Sequence, residues 1–150
     1  MAPRILFVCL GNICRSPTAE AVMRARAATA GLAVAVDSAG TGGWHAGEAP
    51  HPPMIAAARA RGYDLAPLRA RQIKPADFTR FDHVFVMDRQ NLRDAEMCRK
   101  AGVRPELFLS LTPDCGHIDM PDPWYSGSYD LTVSLCEAAA DALIARLARG

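Results

Sequence analysis

The sequence predicts a single α/β domain, a four-stranded parallel sheet with helices on both faces. Short apolar or β-branched runs alternate with longer segments of helical periodicity, the pattern of strand–helix–strand units. The first run, Arg4–Cys9, is almost continuously apolar, as a strand covered on both faces must be. The helical segments carry start and stop signals, Ser, Pro or Asp ahead of them and Gly behind. A chain of 150 residues has the size of one domain, and no repeat, low-complexity tract or linker divides it.

The elements follow in order. Arg4–Cys9 is the first strand. Pro17–Ala30 reads as a helix: Pro17 suits the first helical position, Ser16 can cap it, Glu20 favours its positive end, and Gly31 suits the stop. Within it Ala19, Val22, Met23, Ala27 and Ala30 recur at helical spacing. Ala33–Ser38 is the second strand. Pro52–Arg61 is a helix ended by Gly62, and Lys74–Thr79 reads as a single turn. His83–Met87 is the third strand, Arg89–Lys100 a helix stopped by Gly102, and Glu106–Leu109 a short fourth strand. A polar loop spans Thr112–Ser128. The final helix, Asp130–Arg149, repeats Leu131, Leu135, Ala139, Leu143 and Leu147 at intervals of four. The expected strand order is 2-1-3-4, the flavodoxin-like arrangement. Ligands of such sheets bind beyond the carboxyl ends of the strands. That selects the residues after Cys9, after Ser38, after Met87, and the loop beyond Leu109.

Composition narrows the function. Half the residues are hydrophobic and 22% are charged, as in an ordinary globular protein. The net charge of +1 excludes a strong global field for nucleic acid, so any anion site must be local. No apolar run approaches the roughly 18–20 residues of a membrane span, and the apolar start is too short for a signal peptide. The five cysteines form no C-x-x-C pair, and the four histidines no pair at ligand spacing, so neither metal nor cofactor is expected. Free thiols in a reducing cytoplasm, and a monomer, are the expectation.

The segment after the first strand carries chemistry. In Cys9-Leu10-Gly11-Asn12-Ile13-Cys14-Arg15-Ser16 a thiol ends a strand and an Arg-Ser pair opens a helix. A tight loop there aims the amides of Leu10, Gly11, Asn12, Ile13, Cys14 and Arg15 at one point, and the helix N-terminus adds its own donors. Such a cup suits a tetrahedral oxyanion. Gly11 and Asn12 tolerate a left-handed backbone. Arg15 can fork two donors onto two oxygens. The same donors would hold Cys9 as a thiolate nucleophile, with Ser16 adding a hydroxyl. Read alone, Cys9 is a buried strand residue and Arg15 a surface cation.

The loop, extended as Val8-Cys9-Leu10-Gly11-Asn12-Ile13-Cys14-Arg15-Ser16-Pro17, resembles the signature loop of the low-molecular-weight protein tyrosine phosphatases. The likeness continues in family order through Asp37-Ser38-Ala39-Gly40-Thr41, Gly43-Trp44-His45-Ala46-Gly47, Arg71-Gln72, Met87-Asp88, Asn91-Leu92 and Asp122-Pro123-Trp124-Tyr125. It implies hydrolysis of phosphotyrosine through a phosphocysteine on Cys9, with Arg15 binding the phosphoryl oxygens. A tyrosine-phosphorylated protein would be the substrate, and inorganic phosphate or other oxyanions would bind at the same place.

A departing phenolate needs a proton. Asp114, Asp119 and Asp122 all lie in the late loop. Asp122-Pro123 alone reads equally as a solvated turn. The resemblance favours Asp122 as general acid. It also implies that Trp44 and His45 line the opening of the phosphotyrosine slot, where Trp124 and Tyr125 could form a wall, and that Ser38 and Asn12 support the loop. Trp124 departs from the family's usual Tyr, keeping the aromatic face and losing a hydroxyl. Asp88 suits a helix cap. Cys14 is either a packing residue or, as the resemblance implies, a resolving thiol that traps oxidised Cys9 as a disulfide. Cys98, Cys115 and Cys136 are assigned to packing. Two rivals remain: an arsenate reductase on the same fold, which needs further relay cysteines, and a non-catalytic phosphotyrosine-binding module. A nucleotide-binding reading lacks its glycine motifs.

Overall fold

A computed structural model describes residues 2–150 of the chain. The apolar run at the start is the central strand β1 (Arg4–Cys9), with Ile5, Leu6, Phe7 and Val8 wholly buried. β2 (Ala35–Gly40) and β3 (His83–Val86) flank it, and β4 (Glu106–Leu107) closes the sheet beside β3. All pairings are parallel and the order is β2-β1-β3-β4, as expected. In register, Cys9 lies opposite Gly40, and Val8 opposite Val86, so three carboxyl ends meet at one rim.

Side chains of β1 alternate between two cores, which explains its unbroken hydrophobicity. Ile5, Phe7 and Cys9 face a cluster with Phe85 and Phe108, closed by α1 (Arg15–Thr29) and α6 (Tyr129–Arg149). The Phe7 and Phe108 rings are tilted with centroids 4.8 Å apart, a favourable aromatic geometry. Leu6 and Val8 face the other way, with Val84 and Val86, against Phe78 of α3 (Asp77–Arg80) and Ala95 of α4 (Arg89–Cys98). α2 (Pro52–Arg59) builds a third cluster, in which Met54 and Ala58 join Ile13, Cys14 and Val133. This third cluster packs the loop after β1 from outside.

Several boundaries move from the sequence expectation. α1 begins at Arg15 rather than Pro17, and Ser16 makes no cap because its hydroxyl turns toward Cys9 and Asn12. β2 starts later and continues to Gly40, whose N–H and C=O are taken by Arg71 C=O and Ile73 N–H. Glycine is needed at 40 because a Cβ would sit 2.8 Å from the Leu10 carbonyl oxygen. α4 stops at Cys98, where Arg99 turns extended and its guanidinium takes the carbonyls of Gly102 and Val103. The fourth strand keeps only two residues before Phe108–Leu111 tightens into a 3₁₀ turn that buries Phe108 and Leu109. Within the late loop Pro123–Ser126 forms a helical turn, α5. Among the described residues no helix is long and apolar enough to cross a membrane.

Candidate active site

The loop from β1 to α1 closes around the Cys9 sulfur. Asn12 N–H donates to Sγ at 3.3 Å, and the Ser16 hydroxyl lies 3.1 Å away. Cys9, Asn12, Cys14, Arg15 and Ser16 are all buried. Asn12 is the one non-glycine with a left-handed backbone among the described residues, at φ 58°. Such a conformation costs on the order of 1 kcal/mol and needs anchors. Its side chain supplies them: Nδ2 donates to Ser16 Oγ at 2.8 Å and to Ser38 Oγ at 3.0 Å. Its Oδ1 accepts from Arg71 N–H at 3.0 Å. Arg71 is itself clamped between Asp37 and the fully buried Asp77.

Arg15 reaches across the carboxyl end of β3. Nη1 donates to Asp88 Oδ2 at 2.7 Å and to the Met120 carbonyl at 3.0 Å, and Nη2 to Asp122 Oδ2 at 3.4 Å. Burial works against its charge, but the Cys9 sulfur, Asp88 and Asp122 outweigh it and hold the guanidinium more basic than usual. Asp88 also caps α4, accepting from Asn91 N–H at 2.7 Å, so the cap expected of it is one of two duties.

Asp122 accepts from Trp124 N–H at 3.1 Å with its other oxygen, which caps α5. The late loop is tied down where Met120 N–H donates to Met87 C=O at 2.8 Å. Of the three candidate acids Asp122 alone lines the cavity over Cys9. Asp119 is spent outside it on Arg89, at 2.9 Å, and that hydrogen bond holds it below the usual carboxylate range. Asp114 is exposed.

The cavity holds about 290 Å³. Cys9 and Arg15 form its base together with Leu10, Gly11, Ile13 and Cys14. Trp44, His45, Trp124 and Tyr125 also line it. Trp44 is 64% exposed, Trp124 52% and Tyr125 81%. Large aromatics left this open around a polar base suit a flat, partly apolar ligand with an anionic end.

Sequence reasoning gave three residues no role at the site. His51 packs on Trp124 with ring centroids 4.6 Å apart and is backed by Tyr129 at 6.0 Å. Arg71 supplies the amide that fixes Asn12. Glu20, expected to serve the helix end, turns inward to Ser38 instead. Asp88 was visible at a strand end, but its guanidinium partner was not. No local signal marks His51, and Arg71-Gln72 entered only as part of the family likeness with no role attached, because the contacts of both residues are tertiary.

Cys14 also lines the cavity, and its thiol is pushed up to about 12, first by burial and then by Cys9 and Asp122. Cys98 packs in the cluster of α3 and α4, whereas Cys115 belongs with the opposite core and donates to His117 C=O. Neither lines the cavity, so no outward chain of thiols leaves Cys9 through them. Among the described residues no cluster of His, Cys, Asp or Glu is spaced to hold a metal ion.

Residues 4–150 match the family model of the low molecular weight phosphotyrosine protein phosphatases. A low molecular weight protein-tyrosine-phosphatase of Streptomyces coelicolor is 42% identical, over 97% of this chain and 93% of its own. The crystal structure of YfkJ from Bacillus subtilis superposes with a TM-score of 0.94 at 35% identity, covering 99% of this chain and 96% of that one. A protein tyrosine phosphatase from Entamoeba histolytica, crystallised with Hepes in the active site, gives 0.93 at 31% identity and 99% of both chains. The chain belongs to the low molecular weight phosphotyrosine protein phosphatase family.

Proposed function

We propose that the protein hydrolyses phosphotyrosine in protein substrates through a phosphocysteine intermediate on Cys9. The observation that carries this is the buried sulfur receiving Asn12 N–H at 3.3 Å and lying 3.1 Å from Ser16 Oγ, within the cavity that Arg15 and Asp122 also line. In this reading the attacking species is the Cys9 thiolate, and Asn12 N–H and the Ser16 hydroxyl lie within hydrogen-bond reach of it. The thiolate displaces the phenolic oxygen from phosphorus in line, while Asp122 gives that oxygen a proton. Arg15 and the amides of Leu10 to Arg15 bind the equatorial oxygens, and bind them more strongly as charge spreads in the transition state. Asp122, now a carboxylate, takes a proton from water, which attacks the phosphocysteine. Ser16 then hydrogen-bonds the sulfur as it leaves.

Trp44, His45, Trp124 and Tyr125 would hold the aryl ring above this machinery, and an aliphatic phosphate would leave them unfilled. Inorganic phosphate, as product, binds the same amides and competes with substrate. Cys14 would attack a sulfenic acid formed on Cys9 by peroxide, giving a disulfide and water. All five cysteines are free thiols, in keeping with work in the cytoplasm, and the chain is proposed to act as a monomer.

The test is turnover of p-nitrophenyl phosphate. Cys9→Ser is expected to lower kcat by at least about a thousandfold, since the nucleophile is lost. Asp122→Ala is expected to lower it about a hundredfold and to let phosphoenzyme accumulate when a good leaving group is used. Wild-type turnover in Cys9→Ser would end the proposal. An unchanged rate in Asp122→Asn would move the acid elsewhere.

A further inference from the structure

The aromatic lining of the cavity is open to water, so its rings need support from outside the cavity. Trp124 is 52% exposed. It sits in α5, a four-residue turn in which only Pro123 is buried. Nothing in so short a turn fixes the indole, and an exposed ring is free to change rotamer. Two imidazoles pack on it. His45 lies with its centroid 6.4 Å away, and His51 lies closer, at 4.6 Å and an interplanar angle of 49°. His45 itself lines the cavity and covers Gly11, where a Cβ would meet its ring at 3.1 Å. His51 does not line the cavity, so it meets the indole from behind.

The sequence around His51 makes it a fixed support. It stands in Pro50-His51-Pro52-Pro53. Each proline locks its own φ, and Pro52 confines His51 to extended backbone, where it is found at φ −60° and ψ 129°. The His51 carbonyl accepts from Met54 N–H at 2.9 Å and Ile55 N–H at 3.1 Å, which joins it to the start of α2. Met54 is wholly buried and anchors that helix. The His51 N–H donates to Ile13 C=O at 2.8 Å, in the loop that closes around Cys9. Its ring is backed by Tyr129, the first residue of α6, with centroids 6.0 Å apart. The backbone of His51 is therefore fastened to the anion-binding loop, and its side chain to Trp124.

We infer that His51 is a positioning residue that sets ligand specificity: its imidazole holds the Trp124 ring at the distance from the loop that a planar aryl phosphate fills. The ordering of the indole is then completed in folding and is not charged against ligand binding. A ligand with a ring gains from this, and inorganic phosphate, which does not reach the indole, gains nothing. The consequence for turnover rests on the reading of Cys9 as nucleophile, whereas the effect on binding does not.

The test compares His51→Ala and His51→Phe with the wild type at one pH. Both variants keep the backbone N–H that bonds Ile13, so they separate the ring from the attachment to the loop. Calorimetric titration gives the affinity for phenylphosphonate and for inorganic phosphate. Turnover of p-nitrophenyl phosphate gives kcat and KM.

His51→Ala is expected to weaken phenylphosphonate binding and to raise KM, each about fivefold, the scale of a lost aromatic contact. Phosphate affinity and kcat should stay within about twofold, because Asp122 keeps its own bonds to Trp124 N–H and Arg15. His51→Phe, which restores a flat ring, should return both quantities to within about twofold of the wild type. Unchanged phenylphosphonate binding in His51→Ala would overturn the inference. So would equal weakening of both ligands, which would make His51 a support of the loop alone, and so would a failure of His51→Phe to restore binding. Should thermal unfolding show that His51→Ala folds poorly, His51→Gln fills the space without a ring and is expected to show the same selective loss. If Cys9→Ser stays active while His51→Ala weakens phenylphosphonate alone, the phosphocysteine mechanism fails and the support stands. If Cys9→Ser is inactive and His51→Ala binds phenylphosphonate normally, the support alone falls.

Discussion

Asp88 divides its two oxygens between a helix and a guanidinium. One caps α4 through Asn91 N–H at 2.7 Å, and the other holds Arg15 Nη1 at 2.7 Å. The cap could be kept by other residue types, but the grip on Arg15 needs an acceptor with charge. Asp88→Asn should preserve the cap and weaken the grip. It is expected to lower kcat/KM on p-nitrophenyl phosphate about tenfold or more, in line with roughly 1.5–3 kcal/mol for a charge-assisted hydrogen bond. Phosphate inhibition should weaken in parallel, since Arg15 would be less well aimed at product as well as substrate. Unchanged inhibition and turnover would mean that Met120 C=O and Asp122 suffice to orient Arg15. At this scale the sequence was informative where residue type alone specifies chemistry, as with a thiol and an Arg-Ser pair flanking five residues. It was silent where a side chain changes partner in three dimensions. Glu20 looked like a helix-end acid and turned inward to Ser38.

The elements deliver these residues because β1 and β2 run in register to their ends and place Cys9 opposite Gly40. The loop after β1 then crosses directly over Gly40, with Thr41 N–H donating to Cys9 C=O at 2.8 Å and Gly42 N–H to Leu10 C=O at 2.9 Å. A methyl group at residue 40 would meet the Leu10 carbonyl at 2.8 Å and the Asn12 Cβ at 3.2 Å, both in the loop itself. Gly40→Ala is therefore expected to displace the loop rather than the sheet. Thermal unfolding should show a loss on the order of 1–3 kcal/mol, typical of overpacking, and iodoacetate alkylation of Cys9 should slow. Normal stability and normal alkylation together would show that the loop yields without cost. Strand and helix periods announced most of these elements in sequence. Their ends did not follow, because ends depend on tertiary hydrogen bonds, such as those that prolong β2 beside Arg71 and Ile73.

Across the whole molecule the site shares its burial with the core. Cys14 seals the loop against α2, and Cys136 lies in the α1–α6 core that also takes in Cys9. Burial is the largest cause in raising both thiols, followed by the nearby Cys9 sulfur, and Cys14 is carried from an ordinary 9.0 to about 12. Tyr63 is raised as well, by burial and by its hydrogen bond to Glu137 at 2.6 Å. In each case folding favours the protonated form. The folded chain then binds protons that the unfolded chain has released, so this stability is fully present below about pH 9 and is lost as pH rises toward 12. Each buried thiol should contribute a slope of about 1.4 kcal/mol per pH unit across that window. Urea unfolding at pH 8, 9, 10 and 11 should therefore show a steep alkaline loss. In Cys14→Ala/Cys136→Ala the loss should be shallower, with residual slope from Tyr63 and other alkaline groups. The double variant will start lower at pH 8, because the removed sulfurs leave space in two cores, so the slope and not the midpoint carries the comparison. Equal slopes in the two proteins would mean that water reaches these sulfurs in the folded state, and that the enclosure around Cys9 is looser than the packing of α1, α2 and α6 implies.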